Sequence, residues 1–213
     1  MSELSPCHVR SGQVMTVTGP IPSADLGHTL MHEHLQNDCR CWWNAPTDPA
    51  RQYLADSPVG IEILSELRQD PFVNRHNIAL DDPDLAIEEL RAFTAAGGRS
   101  VVDPTCRGIG RDPATLRRIA TETGLNIVMG AGYYLASPMP DTVARLSIDD
   151  IADEIVAEAL TGTGGTDARI GLIGEIGVSS DFTAEEEKSL RGAARAQART
   201  GLPLMVHLPG WFR

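Results

Sequence analysis

Thr29-Leu30-Met31-His32-Glu33-His34-Leu35 is a short, largely apolar run with two histidines two residues apart. It is the first of five such runs. The others are Ser100-Val101-Val102-Asp103-Pro104, Asn126-Ile127-Val128-Met129-Gly130-Ala131, Ile170-Gly171-Leu172-Ile173-Gly174-Glu175 and Pro203-Leu204-Met205-Val206-His207. Each has the length and apolar density of a strand buried on both faces of a parallel sheet. Amphipathic helical patterns separate them, and this alternation is the signature of βα units.

The helical stretches carry physical start signals. Asp82-Pro83 and Asp112-Pro113 each place a capping carboxylate before a proline at the first helical position, where a missing N–H is harmless. Ser147-Ile148-Asp149-Asp150 and Thr183-Ala184-Glu185-Glu186 read as capping boxes. Behind the first box, Ile148, Ile151, Ile155, Val156 and Ala159 recur at helical spacing and are predicted to lie on the sheet. Gly97 and Gly124 fit as helix stops. Residues 9–26 read as a hairpin, with Val14-Met15-Thr16-Val17 turning through Gly19-Pro20.

One connection breaks the rhythm. Residues 36–81 separate the first strand from its helix, far more than such loops need, and include Trp42, Trp43 and Tyr53. Long loops at the C-terminal ends of barrel strands build substrate pockets. A packing or subunit-contact insertion is the alternative of equal weight.

A closed eight-stranded barrel takes on the order of 250 residues. Five strands in 213 residues therefore predict about the first five strands of a TIM (β/α)8 barrel, in a fragment of a longer protein. The expected organisation is a single domain, 1–213, with the hairpin at 9–26 and a partial barrel over 27–213. A complete open α/β sheet is the competing topology.

On a strand, His32 and His34 project from one face and can grip one metal ion. A His-x-His pair is a weak signal taken alone. Glu175 ending the fourth strand and His207 ending the fifth strengthen it, because both fall at the rim where barrel enzymes collect functional groups. A carboxylate closing the apolar Ile170–Gly174 run is costly to bury without a compensating cation. The bland alternatives are an arginine partner for Glu175 and a backbone-bonded core histidine for His207. Asp103 reads as a helix cap or rim residue before it reads as an acceptor for a ligand histidine. Cys39 and Cys41 have a metal-friendly spacing, but no second tight pair accompanies them. Trp42 and Trp43 read as a pocket wall or a dimer contact.

Gly27–Leu35, Gly108-Ile109-Gly110-Arg111-Asp112-Pro113, Gly130-Ala131-Gly132-Tyr133-Tyr134 and Ile173-Gly174-Glu175-Ile176-Gly177 resemble, in order, successive blocks of the phosphotriesterase-related family. That family is a branch of the amidohydrolase superfamily of binuclear metal hydrolases. The resemblance runs from about residue 14 to the end and is closest to the resiniferatoxin-binding, phosphotriesterase-related subgroup. It implies a metal-dependent hydrolase barrel, with His32 and His34 on the more buried metal, His207 on the more exposed one and Glu175 bridging both.

The best-known phosphotriesterases bridge with a carboxylated lysine, so Glu175 is a departure that puts a phosphotriester substrate in doubt. The resemblance also implies a sixth-strand histidine and an eighth-strand aspartate, the expected general base, beyond these residues. Tyr134 matches a family tyrosine that hydrogen-bonds substrate or hydroxide, with an aromatic wall as its alternative role.

The implied cofactors are two divalent ions, Zn2+ first, with Mn2+, Co2+ or Fe2+ also suited to imidazole and carboxylate ligands. The implied reaction is hydrolysis of a carboxylic ester, lactone or phosphotriester by a metal-bridging hydroxide. A non-catalytic hydrophobic-ligand-binding protein and an amidase or deaminase of the same superfamily are the competing functions.

Composition narrows the partners. With 18 Lys+Arg against 29 Asp+Glu, the formal charge of −11 repels phosphate backbones and anionic lipid, so nucleic acid and membrane are not expected partners. Residues 1–7 lack the basic and apolar segments of a signal peptide. A cytoplasmic homodimer with reduced cysteines is the expectation.

Overall fold

The computed structural model describes residues 11–210, so the first two residues of the expected hairpin, and Trp211 to Arg213, lie outside it. β1 (Gln13–Thr16) and β2 (Gly19–Pro22) pair antiparallel with Thr16 opposite Gly19. The turn therefore falls at Val17-Thr18 and not at Gly19-Pro20. Pro20 and Pro22 instead occupy β2, which has only β1 as a neighbour and can spare their N–H groups. Val17 donates its N–H to Ile127 O at 2.9 Å and is fully buried, so the hairpin plugs the end of the molecule where the parallel strands begin.

β3 (His28–Leu30) is shorter than the sequence suggested, ending before either histidine of the His-x-His pair. The chain stays extended beside its neighbour: Glu33 N–H donates to Val102 O at 3.0 Å, and Leu35 N–H to the Asp103 carboxylate at 3.0 Å. His32 and His34 are thus carried on an irregular strand extension.

Residues 36–81 then fold into β4 (Asn37–Asp38), several 3-10 turns, α1 (Leu64–Gln69) and β5 (Ala79–Leu80), with β4 and β5 antiparallel. Leu54, Ile63, Leu67 and Val73 give this segment a small core of its own. Its sequence shows no regular periodicity because single turns, not long elements, supply that core.

The βα alternation follows in the expected order. α2 (Pro83–Ala95), β6 (Gly98–Asp103), α3 (Pro113–Thr123), β7 (Asn126–Met129), α4 (Ile148–Thr161), β8 (Ile173–Gly177), α5 (Ala184–Thr200) and β9 (Leu204–His207) complete the chain.

The caps are those the sequence announced. Asp82 and Asp112 each accept two N–H groups of the following turn, and Ser147 and Thr183 form reciprocal boxes with Asp150 and Glu186. Each contributes about 1 kcal/mol. Gly124 ends α3 in the left-handed conformation that a Cβ disfavours. On α4, Ile151, Ile155 and Ala159 are buried while Ile148 and Val156 are half-buried. α5 packs against α4 through small residues, because a Cβ on Gly192 would meet the Ile151 side chain at 2.6 Å.

β3, β6 and β7 form one parallel ladder in the order β3-β6-β7, and β8 pairs parallel with β9. The two pieces meet where Gly171 donates to Met129 O at 3.0 Å and Gly174 to Ala131 O at 2.6 Å. The peptide joining Gly174 to Glu175 is cis. The fourth strand lies a few residues later than expected, so Glu175 is the middle residue of β8 and not its end. Ile170 and Leu172 are buried but precede the ladder, and an apolar run alone does not reveal that phase.

A large core joins these strands to α2–α5, with Ile119, Ile127, Met129, Ile151 and Ile173 fully buried. Burying each such side chain contributes about 1.5–3 kcal/mol. Among the described residues β3 and β9 remain sheet edges, and the ladder does not close. No described helix is long and apolar enough to cross a membrane.

Candidate metal centre

The extension of β3, the segment after β7, the middle of β8 and the end of β9 bring the predicted site residues together. Glu175 is the hub. Its side chain is 3% exposed, with His34 Nε2 at 3.2 Å from Oε1, and His32 Nε2 at 3.3 Å and His207 Nδ1 at 3.0 Å from Oε2. His32 and His34 cross edge to face with ring centroids 5.3 Å apart. One ligand atom from each of His32, His34 and Glu175 fits within a 4.8 Å group. His207 stands on the other flank of the carboxylate, outside that group. No arginine or lysine pairs with Glu175 among the described residues, and His207 bonds side chains, not backbone.

Charge explains how such a carboxylate is tolerated. Burial, the largest influence, pushes the Glu175 pKa up, but the hydrogen bond from His34 and the charges of His34 and His207 hold it below the usual carboxylate range. His34 shows the mirror image: burial pulls it down, and Glu175, with Asp103 and Glu33, raises it.

These residues fit a bound metal. Three imidazole nitrogens and both oxygens of an ionised, buried carboxylate converge with only other acceptors or histidine protons between them. The His34 Nε2 to Glu175 Oε1 approach needs a cation between two lone pairs, and either a proton or a metal ion provides it.

Of the residues that support this hub, sequence reading singles out only Asp103, with a cap or rim role ahead of a histidine acceptor. Asp103 is fully buried and bonds no histidine; its carboxylate accepts Leu35 N–H at 3.0 Å and Thr105 N–H at 2.9 Å. Burial pushes its pKa up, and these bonds oppose the shift. Thr105, never singled out from sequence, places its hydroxyl 2.8 Å from His34 Nδ1. Around it, Glu175 N–H donates to Pro104 O at 2.9 Å and Cys106 Sγ–H to Glu175 O at 2.9 Å. The one available signal was position: these three residues directly follow a strand-end aspartate. Their types alone give no reason to choose them.

Tyr134 lies beside the hub. Its hydroxyl is 2.9 Å from His207 Nε2, and the rings meet edge to face. Burial first, then the negative charge of Glu175, pushes its pKa up, so it stays a neutral phenol. Trp42 packs edge to face on Tyr134 at 5.9 Å. Trp43 turns instead into its own loop, donating Nε1–H to Val73 O at 3.1 Å under the Arg75 guanidinium.

Trp42, Phe72, Tyr134, Val178, Ser179 and His207 line a cleft of about 380 Å³. A slightly larger cleft, about 420 Å³, runs between β3 and α2; it reaches His34 but neither Glu175 nor His207. The first is the better substrate cleft, because its apolar walls carry Tyr134 and His207 side by side, whereas the second reaches the hub only at His34. Cys39 lines it too, with its thiol on Asn37 Oδ1 at 2.8 Å and burial pushing its pKa up to about 11. A protonated thiol is a poor metal ligand. Cys41 is exposed.

A family model described as the phosphotriesterase family matches residues 12–210. The crystal structure of a resiniferatoxin-binding protein from Rhodobacter sphaeroides is similar at 83% identity and a TM-score of 0.94, covering 100% of this chain and 60% of that one. An N-acetyltaurine hydrolase of Tetraodon nigroviridis is 42% identical over 202 residues, covering 94% of this chain and 57% of the relative. A variant of a phosphotriesterase-like lactonase from Deinococcus radiodurans is 29% identical with a TM-score of 0.67, covering 92% and 55%. The chain spans under two thirds of the length of these relatives.

Proposed function

The chain belongs to the phosphotriesterase family, and on that premise we propose that it forms the metal-binding part of a binuclear hydrolase acting on carboxylic esters or lactones. The observation that carries this reading is Glu175, buried among three histidines with no other cation at hand among the described residues. In it, His32 and His34 hold one divalent ion, His207 a second, and Glu175 serves both; a closed TIM barrel and the residues completing the ligand set come from outside these 213 residues. Zinc suits the donors best, with manganese, cobalt or iron as alternatives. When bound, such ions acidify water and polarise the oxygen under attack.

The chain's own residues do the rest. Glu175 stays ionised because its histidine neighbours outweigh its burial. Tyr134, kept protonated by burial and held at His207, donates a hydrogen bond to the oxygen of the substrate. Trp42, Phe72 and Val178 exclude water from the reacting bond and favour an apolar, small-molecule substrate.

A second reading, amide hydrolysis, draws on the N-acetyltaurine hydrolase, which is nearer in sequence at 42% than the lactonase at 29%. The two differ in the leaving group and not in the metal hub.

The test compares hydrolysis of a lactone, an aryl carboxylic ester, an aryl phosphotriester and N-acetyltaurine by the zinc-loaded full-length protein, before and after chelation. Chelator-sensitive turnover of the ester or lactone supports the proposal, and turnover of N-acetyltaurine alone moves it to the amide reading. Loaded protein that turns over none of them, or binds them without hydrolysis, contradicts both. Tyr134→Phe should lower turnover about 100-fold with metal content unchanged.

A further inference from the structure

We propose that Thr105 is a positioning residue that keeps a hydrogen on His34 Nδ1, so that Nε2 is the ring nitrogen that faces Glu175 and takes the metal. A threonine hydroxyl has one proton to give. Here it goes to the main-chain carbonyl of Gln36 at 3.0 Å, a group that can only accept. The hydroxyl therefore faces His34 Nδ1, 2.8 Å away, with a lone pair, and Nδ1 must carry the hydrogen. In neutral imidazole only one nitrogen is protonated, so once a metal ion replaces the proton between His34 and Glu175, Nε2 is the ligand atom.

The hydroxyl is itself held. Thr105 is 1% exposed, and its N–H is bonded to Asp103, whose second oxygen holds the N–H of Leu35, the residue next to His34. One buried carboxylate thus sets both ends of the Thr105–His34 contact. The same turn grips Glu175 through Pro104 O and the Cys106 thiol, so the nitrogen that Thr105 orients and the carboxylate it faces are referenced to three consecutive residues. His32 and His207 have no equivalent hydroxyl donor-acceptor on their outer nitrogen among the described residues, apart from Tyr134 at His207.

The consequence for metal affinity rests on the metal-centre reading above; the hydrogen bond at Nδ1 does not. The test uses the protein labelled with 15N at its histidines and observed by NMR before and after zinc loading, with the His34 signals assigned from a His34→Gln variant. Thr105→Val removes the hydroxyl at nearly constant volume, and Thr105→Ser keeps it.

The proposal expects a hydrogen-bonded, slowly exchanging His34 Nδ1–H in the wild type and in Thr105→Ser, and a rapidly exchanging one in Thr105→Val. Zinc affinity by chelator competition should fall about 10–100-fold in Thr105→Val and stay within about threefold in Thr105→Ser. A slowly exchanging Nδ1–H that survives in Thr105→Val, or a Thr105→Ser protein as impaired as Thr105→Val, overturns it. A wild type that shows the expected Nδ1–H but binds no zinc supports the positioning role and overturns the metal reading instead.

Discussion

Gly130→Ala should damage both the fold and the metal hub, although the substitution adds a single methyl group. Gly130 follows β7 at the point where the two sheet pieces meet. A Cβ built there would fall inside the van der Waals radius of Gly174 O and lie 2.9 Å from Pro104 Cα and 3.1 Å from Pro104 C. All three neighbours are backbone, so no flexible side-chain end can swing aside. Gly174 precedes Glu175, and Pro104 O accepts the Glu175 N–H, so any relief must move the carboxylate.

Overpacking costs typically about 1–3 kcal/mol, and a backbone-on-backbone clash belongs at the upper end. The gain from a stiffer unfolded chain is smaller, about 0.4–1 kcal/mol, and does not reverse the sign. A net loss of about 2–3 kcal/mol lowers Tm by roughly 4–12 °C in a chain of this size. Calorimetric melting of metal-free protein reads the first effect, and zinc retained after gel filtration reads the second. A Tm within about 2 °C of wild type, together with undiminished zinc, would refute the claim that this junction sets the position of Glu175.

Glu158→Gln should cost about 3–5 kcal/mol by denaturant unfolding, because it strips the charge partner from a buried arginine. Both prongs of the 4%-exposed Arg111 guanidinium meet the Glu158 carboxylate at 2.8 Å, and the half-buried Arg107 pairs with the same carboxylate. A loss below about 1 kcal/mol would show that the pair is dispensable. Glu186 sets an acid limit on stability. Burial raises its pKa, but the Ser179 hydroxyl and the N–H groups of Ser179, Ala136 and Thr183 outweigh it and leave the pKa lowered. Its contribution is present above the ordinary glutamate pKa and is lost as pH falls through the lower folded value. Unfolding curves of Glu186→Gln should therefore be flatter than wild type below about pH 4.3, and parallel curves would contradict this.

The elements that the sequence makes legible are those governed by local chemistry. Asp82, Asp112, Ser147 and Thr183 cap the helices they precede because a side-chain oxygen must meet free N–H groups wherever the chain runs afterwards. Strand limits are set by partners, and so β3 stops at Leu30 and β8 starts at Ile173, each displaced from its apolar run. The convergence of His32, His34, Glu175 and His207 was legible because ligand-type side chains near the ends of three apolar runs are rare enough to be noticed together. Thr105 and Cys106 were not, since a threonine and a cysteine acquire their roles only once the Asp103 turn brings them against His34 and Glu175. The 36–81 segment stayed opaque for a related reason: its Leu54, Ile63, Leu67 and Val73 core is assembled from single turns without a repeat.

The central claim is that Glu175 is the shared anchor of a metal centre, and the metal content of purified Glu175→Ala beside wild type tests it most directly. The account predicts that wild type, loaded with zinc and passed through gel filtration, retains the metal, whereas Glu175→Ala, still folded by circular dichroism, loses it from the His32–His34 side and the His207 side alike. Equal zinc in the two proteins, or none in the wild type, would contradict it.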